Sequence, residues 1–243
     1  MRLRASILLI SCLCAGASLY AGELRVGTWN IHKGKRLDRV LEELKEPPLS
    51  DCDVLALQEV LTGEEGRQAK EIAEALGARS VNAGRDVIVS RLPILDSGEI
   101  TLRRGRSAAW ADLRDSAGRA LRVYDVHLTY KVGWHPFIPE VRAGEMRTLL
   151  EHAKTFDGPV IILGDFNTVG WFVCCHRDAP LLGLLRDAGF REAGIEGGTQ
   201  RLVGTVDWIF ARGLVIKDAR RGDYAGSDHR WITATLETPA ASH

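Results

Sequence analysis

A carboxylate and a carboxamide stand two residues apart directly after a short apolar run, in Leu163-Gly164-Asp165-Phe166-Asn167. Side chains at positions i and i+2 of an extended chain point to the same side, so Asp165 and Asn167 could both reach one bound phosphate and its attacking water. A turn stabilised by its own polar side chain would explain only one member of the pair. The spacing therefore favours a site that binds water and oxyanions.

A second acidic side chain, Glu59, ends the apolar run Leu57-Gln58-Glu59-Val60. A carboxylate at that position must face water, a cation or a metal ion. Hard oxygen ligands suit Mg²⁺, which keeps several waters and takes one or two protein carboxylates. The sequence therefore predicts a Mg²⁺ site at Glu59, with an ordinary surface glutamate as the alternative.

The C-terminal part of the chain offers a histidine and two more carboxylates. Ser227-Asp228-His229 precedes a predicted strand, and Asp207 lies within another, Thr205–Phe210. A carboxylate that accepts a hydrogen bond from a histidine fixes its tautomer and raises its basicity. We pair Asp207 with His229 and assign Asp228 to the metal side.

Short strands separated by a few helices must position these residues. The predicted strands are Leu24–Asn30, Asp53–Glu59, Asp86–Ser90, Ser107–Leu113, Leu121–Thr129, Val160–Leu163, Thr205–Phe210 and Trp231–Leu236. Apolar residues at helical spacing predict helices over Leu37–Leu44, Ala69–Leu76, Glu140–Phe156 and Asp178–Ala188. Because runs such as Val160–Leu163 are apolar on both faces, we expect central strands in sheets that are covered on each side.

Four polar residues fall at or just past the ends of these predicted strands. They are Asn30, Glu59, His127 and Asp165. Strand ends present side chains at one rim of a sheet while the core stays dry, so four such ends can form one site.

Together and in this order, the motifs resemble those of the endonuclease/exonuclease/phosphatase family, in its deoxyribonuclease-like and sphingomyelinase-like branches. The matching stretches are Thr28–His32, Leu57–Val60, Ser90–Ile94, Val126–Leu128, Gly164–Asn167, Val206–Phe210 and Ser227–His229. The resemblance implies an α/β (α+β) fold, a four-layer αββα sandwich with two central, mainly antiparallel sheets covered by helices. It also implies a metal-dependent hydrolase acting on phosphate esters.

The resemblance further implies a role for each residue of the site. Glu59 would be the principal Mg²⁺ ligand, with Asn30 and Asp228 close by. Asp165 and Asn167 would position the attacking water and a phosphate oxygen. Mn²⁺ is expected to substitute for Mg²⁺.

Two histidines would complete the chemistry in such a family member. His229, held by Asp207, and His127 would transfer protons and offset the charge that develops on the phosphate, with the acid and base roles open between them. His127 also argues against the abasic-site repair branch of the family, which relies on a tyrosine in that region.

Candidates for binding the substrate are His32, Arg104, Arg106 and Trp134. Arginines bind phosphate oxygens well, and Trp134 could stack on a base or enter a lipid interface. The chain has 32 basic and 32 acidic residues, so a polyanion would have to be bound by a local cluster of charges. We expect a nuclease or general phosphodiesterase; the alternatives are a phosphodiesterase acting on phospholipid or sphingomyelin head groups and a non-catalytic binding protein on the same fold.

The first 21 residues are predicted to be a signal peptide. Arg2 and Arg4 precede the apolar stretch Ala5–Leu13, and small residues at cleavage spacing follow it. Cleavage would leave one domain, residues 22–243, in the periplasm or secreted, expected as a monomer with no obligate protein partner. A retained membrane anchor and lipid attachment at Cys12 are the alternatives.

Overall fold

The structure, a computed structural model, describes residues 22–61, 63–130, 138–168, 175–202 and 204–237. The predicted signal peptide and the candidate Trp134 lie outside these ranges.

The described part of the chain contains twelve strands and four α-helices, with three short 3-10 helices in the connections. The strands are β1 (Glu23–Asn30), β2 (Val54–Gln58), β3 (Arg79–Ala83), β4 (Asp86–Ser90), β5 (Ile94–Thr101), β6 (Ser107–Arg114), β7 (Ala120–His127), β8 (Val160–Asp165), β9 (Arg191–Glu192), β10 (Asp207–Arg212), β11 (Val215–Arg221) and β12 (Ile232–Glu237). The helices are α1 (Leu37–Leu44), α2 (Gly63–Ala75), α3 (Ile138–Ala153) and α4 (Cys175–Asp187). None of these described helices combines the length and the apolar character needed to cross a bilayer.

The strands form two six-stranded sheets with the same arrangement of pairs. One sheet has the order β11-β12-β1-β2-β4-β3, and the other has the order β5-β6-β7-β8-β10-β9. Each sheet contains one parallel pair, β1 with β2 and β7 with β8, and its other pairs are antiparallel. The expectation of two mainly antiparallel sheets is confirmed.

Three apolar layers hold the sandwich together. The layer between the sheets includes Val26 and Ala56 of the first sheet and Val123 and Ile161 of the second. A second layer packs α1 and α2 on the outer face of the first sheet, and a third packs α3 and α4 on the outer face of the second sheet. Burial of these apolar faces is the main source of the protein's stability. The three layers confirm the four-layer αββα arrangement.

The strands that the sequence did not predict are β3, β5, β9 and β11, and they lie at or next to the sheet edges. β5 and β11 expose most of their residues, and the two-residue β9 is too short to carry a pattern. Strand prediction depends on apolar residues alternating with polar ones, and edge strands facing water bury too few of them to show it. The central strands β2 and β8 are buried at every position, as predicted.

A glycine at the end of β8 sets how closely β7 and β8 approach each other beside the site. Gly164 has φ +140°, and a Cβ atom there would lie 2.0 Å from the carbonyl oxygen of Val126. We expect Gly164→Ala to reduce the free energy of unfolding by at least about 3 kcal/mol, because backbone atoms must move to admit the methyl group.

Urea titration of the two proteins measures this difference. The matched control is Gly183→Ala in α4, where the added methyl group meets nothing within 4 Å. That substitution should be neutral or stabilise the protein by up to about 1 kcal/mol. Equal unfolding midpoints for Gly164→Ala and the parent protein would refute the steric explanation.

Candidate active site

The site lies where strand ends from both sheets meet. The register places His127 opposite Asp165 in the parallel pair of β7 and β8, and Asp165 opposite Asp207 in the antiparallel pair of β8 and β10. From the first sheet, Asn30 ends β1 and Glu59 directly follows β2. Asn30 Nδ2 donates a hydrogen bond of 3.0 Å to Asp165 Oδ2 and so joins the two sheets at this rim.

His229 and Asp207 form a buried pair. His229 Nδ1 lies 2.9 Å from Asp207 Oδ2 and 3.2 Å from Oδ1, which places a ring hydrogen on Nδ1 and leaves Nε2 facing the site. Burial alone would lower the pKa of His229, but the charges of Asp207 and Asp165 and the hydrogen bond with Asp207 outweigh it and raise that pKa to about 10.

The segment that carries His229 is anchored to β1 by two hydrogen bonds, and a third lies within the segment. Ser227 Oγ donates to the Asn30 carbonyl at 2.6 Å and accepts from the His229 amide at 3.1 Å. Trp29 Nε1 donates to the His229 carbonyl at 3.0 Å. Since Trp29 is fully buried, the backbone at His229 is fixed to the core of the domain.

Asp165 lies between two imidazole rings. One oxygen, Oδ2, is 3.5 Å from His127 Nε2 and 3.8 Å from His229 Nε2. Burial lowers the pKa of His127 to about 4 and raises the pKa of Asp165. The two histidines therefore have pKa values shifted in opposite directions, which is common where side chains exchange protons with a substrate.

Asn167 is held beside Asp165 by one hydrogen bond from its backbone and one from its side chain. Its amide N–H donates to Asp165 Oδ1 at 2.9 Å, and its Nδ2 donates to the Leu128 carbonyl at 2.9 Å. Four predicted site residues adopt left-handed backbone conformations that are uncommon outside glycine, with φ +50° at His32, +59° at Glu59, +57° at Arg104 and +51° at Asn167. Such strain concentrates at functional sites, where the surrounding structure holds it in place.

The predicted metal ligands lie on the first-sheet side of the site. Asn30 Nδ2 is 3.4 Å from Glu59 Oε1, while Asn30 Oδ1 accepts the His32 amide N–H at 3.0 Å. The side chain of Asp228 is 42% exposed, and its Oδ1 lies 3.1 Å from His32 Nδ1. Asn30 thus has its oxygen committed to the backbone, and it links Glu59 to Asp165 through its nitrogen.

The oxygen donors of this part of the site fit a hard divalent cation. Glu59 and Asp228 both line the cleft with carboxylates that are reached from solvent. Asp165, Asp207 and His229 also offer ligand atoms within 4.8 Å of one another and could hold a metal ion. We favour Glu59 and Asp228, because both oxygens of Asp207 already contact His229.

These residues line a cleft of about 610 Å³. Its walls contain the predicted residues His32, Glu59, Arg106, His127, Asp165, Asn167, Asp228 and His229. Asn30 and Asp207 lie behind the lining and hold these residues in position, whereas the exposed Arg104 is not part of the wall.

Several residues of the cleft were absent from the sequence prediction. They are Lys33, Arg85, Asp86, Tyr130, Gln200 and Leu202. They come from turns or strand ends that carry no periodic pattern, so nothing in the sequence marked them. Asp86 is the most buried charged residue among them at 5% exposure, and burial raises the pKa of its carboxyl group well above the ordinary value.

Hydrogen bonds between buried polar side chains form a bridge that joins the two sheets next to the site. Gln58 Nε2 donates to Thr28 Oγ1 at 2.8 Å and to Asp125 Oδ1 at 2.7 Å. Gln58 precedes Glu59, and Asp125 stands two residues before His127. The bridge therefore fixes the spacing of the two strands that carry a predicted ligand and a predicted catalytic histidine.

Comparison with known proteins places this arrangement in a family. Residues 27–229 match the model of the Endonuclease/Exonuclease/phosphatase family. A UPF0294 protein from Vibrio parahaemolyticus is 31% identical over 223 residues, which cover 86% of this chain and 75% of that protein.

Solved structures share the fold at low sequence identity. An endonuclease/exonuclease/phosphatase from Beutenbergia cavernae superposes with a TM-score of 0.74 at 19% identity, covering 90% of this chain and 72% of that one. The human nocturnin catalytic domain with bound sulfate anion superposes with a TM-score of 0.68 at 20% identity, covering 91% and 95%. On the family match and the shared fold, the chain belongs to the endonuclease/exonuclease/phosphatase family, whose members generally hydrolyse phosphoester bonds.

Proposed function

We propose that the protein is a divalent-metal-dependent phosphodiesterase that cleaves its substrate by attack of water. The observation that carries the proposal is the placement of His127 Nε2 and His229 Nε2 at 3.5 and 3.8 Å from the same oxygen of Asp165. Two imidazoles on one buried carboxylate provide a group to take a proton from water and a group to give one to the leaving oxygen. A protein that only bound phosphate would need neither.

Each side chain has a task that its contacts allow. Asp165 orients the water, and Asn167, fixed by its bonds to Asp165 and Leu128, contacts a phosphate oxygen. Asp207 keeps Nε2 of His229 directed at the reacting groups. Mg²⁺ held by Glu59 and Asp228, with Mn²⁺ as a substitute, would offset negative charge on the phosphate oxygens.

Among phosphodiesters, we favour nucleic acid or a general phosphodiester over a phospholipid head group. Three cationic side chains from three different loops line the cleft: Lys33, Arg85 and Arg106. Anionic backbones suit such a lining. The phospholipid alternative has one observation in its favour, the apolar side chain of Leu202, which is 83% exposed at the cleft.

A substrate panel tests the proposal. Residues 22–243 are assayed on DNA, RNA, bis(4-nitrophenyl) phosphate and phospholipid vesicles, each with Mg²⁺, Mn²⁺ or a chelator. We expect metal-dependent hydrolysis of the chromogenic diester and of nucleic acid. Hydrolysis of phospholipid alone would establish the alternative, and absence of hydrolysis on every substrate would refute the proposed function.

We also propose that the protein acts outside the cytoplasm. Support comes from the charged and apolar pattern of residues 1–21, which is typical of a signal peptide. N-terminal sequencing of protein recovered from cell fractions tests this proposal, and a cytoplasmic protein that keeps these residues would contradict it.

A further inference from the structure

Two turns, one from each sheet, meet at one end of the cleft. The turn between β3 and β4 carries Gly84 and Arg85, and the segment before β6 carries Gly105 and Arg106. A Cβ atom on Gly84, where φ is +57°, would come within 3.2 Å of Ser107 Oγ. The close approach of the turns brings two arginines, 21 positions apart in sequence, to the same end of the cleft.

Each arginine is fixed next to the predicted chemistry. The carbonyl of Arg85 accepts the Val60 amide N–H at 3.0 Å, directly after the predicted ligand Glu59. Arg106 Nη1 donates to the His127 carbonyl at 3.0 Å. Both guanidinium charges contribute to the low pKa of His127, after the larger effect of its burial.

The two charges are incompletely balanced by the protein. The exposed side chain of Arg85 makes no hydrogen bond or ion pair with the described residues. Asp86 and Glu145 are carboxyl groups that interact with Arg106, but both are buried, and burial disfavours the ionisation of each and raises its pKa. An anion placed between the arginines would therefore meet two guanidinium groups, the preferred partners of phosphate.

The cleft also has room for more than the phosphate that is cleaved. Its volume of about 610 Å³ is that of a site for a ligand with several groups around the reacting atom. The arginines lie on the two turns that meet at Gly84 and Ser107, and these turns carry none of the predicted metal ligands or catalytic residues.

We infer that Arg85 and Arg106 bind a second phosphate of the substrate, next to the phosphate that is cleaved. The substrate class is then a chain of successive phosphodiesters, a nucleic-acid strand, and the single phosphate of a phospholipid head group leaves this end of the cleft unused. The inference rests on the proposed phosphodiesterase activity.

The test compares ligands that differ by one phosphate. A thymidine dinucleotide, with one internal phosphate, and a trinucleotide, with two, compete with bis(4-nitrophenyl) phosphate for the enzyme at fixed ionic strength. We expect the trinucleotide to compete about tenfold better in the parent protein, because the added phosphate gains a charged hydrogen-bonding partner. Arg85→Gln should reduce this tenfold difference between the two ligands to about twofold or less. It should also lower the salt dependence of trinucleotide binding by about one phosphate contact.

Arg79→Gln is the matched control, since Arg79 is exposed at the far end of the same hairpin and lies outside the cleft. It should keep the tenfold difference between the two ligands. An unchanged difference in Arg85→Gln, or equal competition by the two ligands in the parent protein, overturns the inference. So does stronger competition by glycerophosphocholine than by the trinucleotide.

The failure of the inference is distinguishable from failure of the proposed function. If the parent protein does not hydrolyse bis(4-nitrophenyl) phosphate or nucleic acid with any metal, the proposed function is overturned and the inference with it. If hydrolysis occurs and the difference between the trinucleotide and the dinucleotide does not depend on Arg85, the second-phosphate site alone is overturned.

Discussion

Replacement of His229 by alanine is expected to lower turnover by at least about 100-fold, the usual cost of losing a group that transfers a proton. The ring is buried and lies 2.9 Å from Asp207 Oδ2 and 3.8 Å from Asp165 Oδ2, so alanine removes the imidazole from the reacting groups. Turnover of bis(4-nitrophenyl) phosphate measures the effect. Urea unfolding of the same sample establishes that the protein is folded.

Asp207→Asn tests what the pairing of Asp207 with His229 contributes, apart from the imidazole ring of His229 itself. The amide keeps the volume of the carboxylate but loses its charge, so His229 is less well oriented and turnover should fall as well. Because the two residues act as a unit, the double variant should be about as slow as His229→Ala alone. A folded His229→Ala protein with parental turnover would remove this residue from the mechanism.

Removal of divalent metal is expected to abolish hydrolysis, and added Mg²⁺ or Mn²⁺ should restore it. In Glu59→Gln the metal concentration that gives half-maximal activity should rise by about tenfold or more, because a neutral amide replaces the charged ligand. A second measurement does not depend on turnover: Mg²⁺ should raise the unfolding temperature of the parent protein, since a bound ion stabilises the folded state. This rise should be smaller in Glu59→Gln.

The control for the metal experiment is Glu99→Gln, an exposed glutamate in β5 that lies away from the cleft. It should respond to Mg²⁺ as the parent protein does. Activity that persists in a chelator after exhaustive dialysis would contradict the metal mechanism. An equal thermal shift in the parent protein and Glu59→Gln would contradict the assignment of Glu59 as the ligand.

Apolar patterning was sufficient to predict the central strands, and the family resemblance implied the layer order. β2 and β8 are buried at every position and read as continuous apolar runs, which identifies strands covered on both sides. The edge strands β5 and β11 lack that signal because most of their residues are exposed, although each pairs with the next strand along the chain. Because apolar patterning indicates burial, it predicts the buried strands and not the exposed ones.

The sequence by itself determined which chemical groups stand at the strand ends, among them Glu59, His127, Asp165 and His229. Only the tertiary structure decided that one Asp165 oxygen lies between the two imidazoles and that Asn30 joins the sheets through its nitrogen. It alone also brought Arg85 to the cleft. The physical reason is that strand periodicity fixes where side chains leave a strand, whereas contacts between strand ends depend on the register of both sheets and the turns that close them.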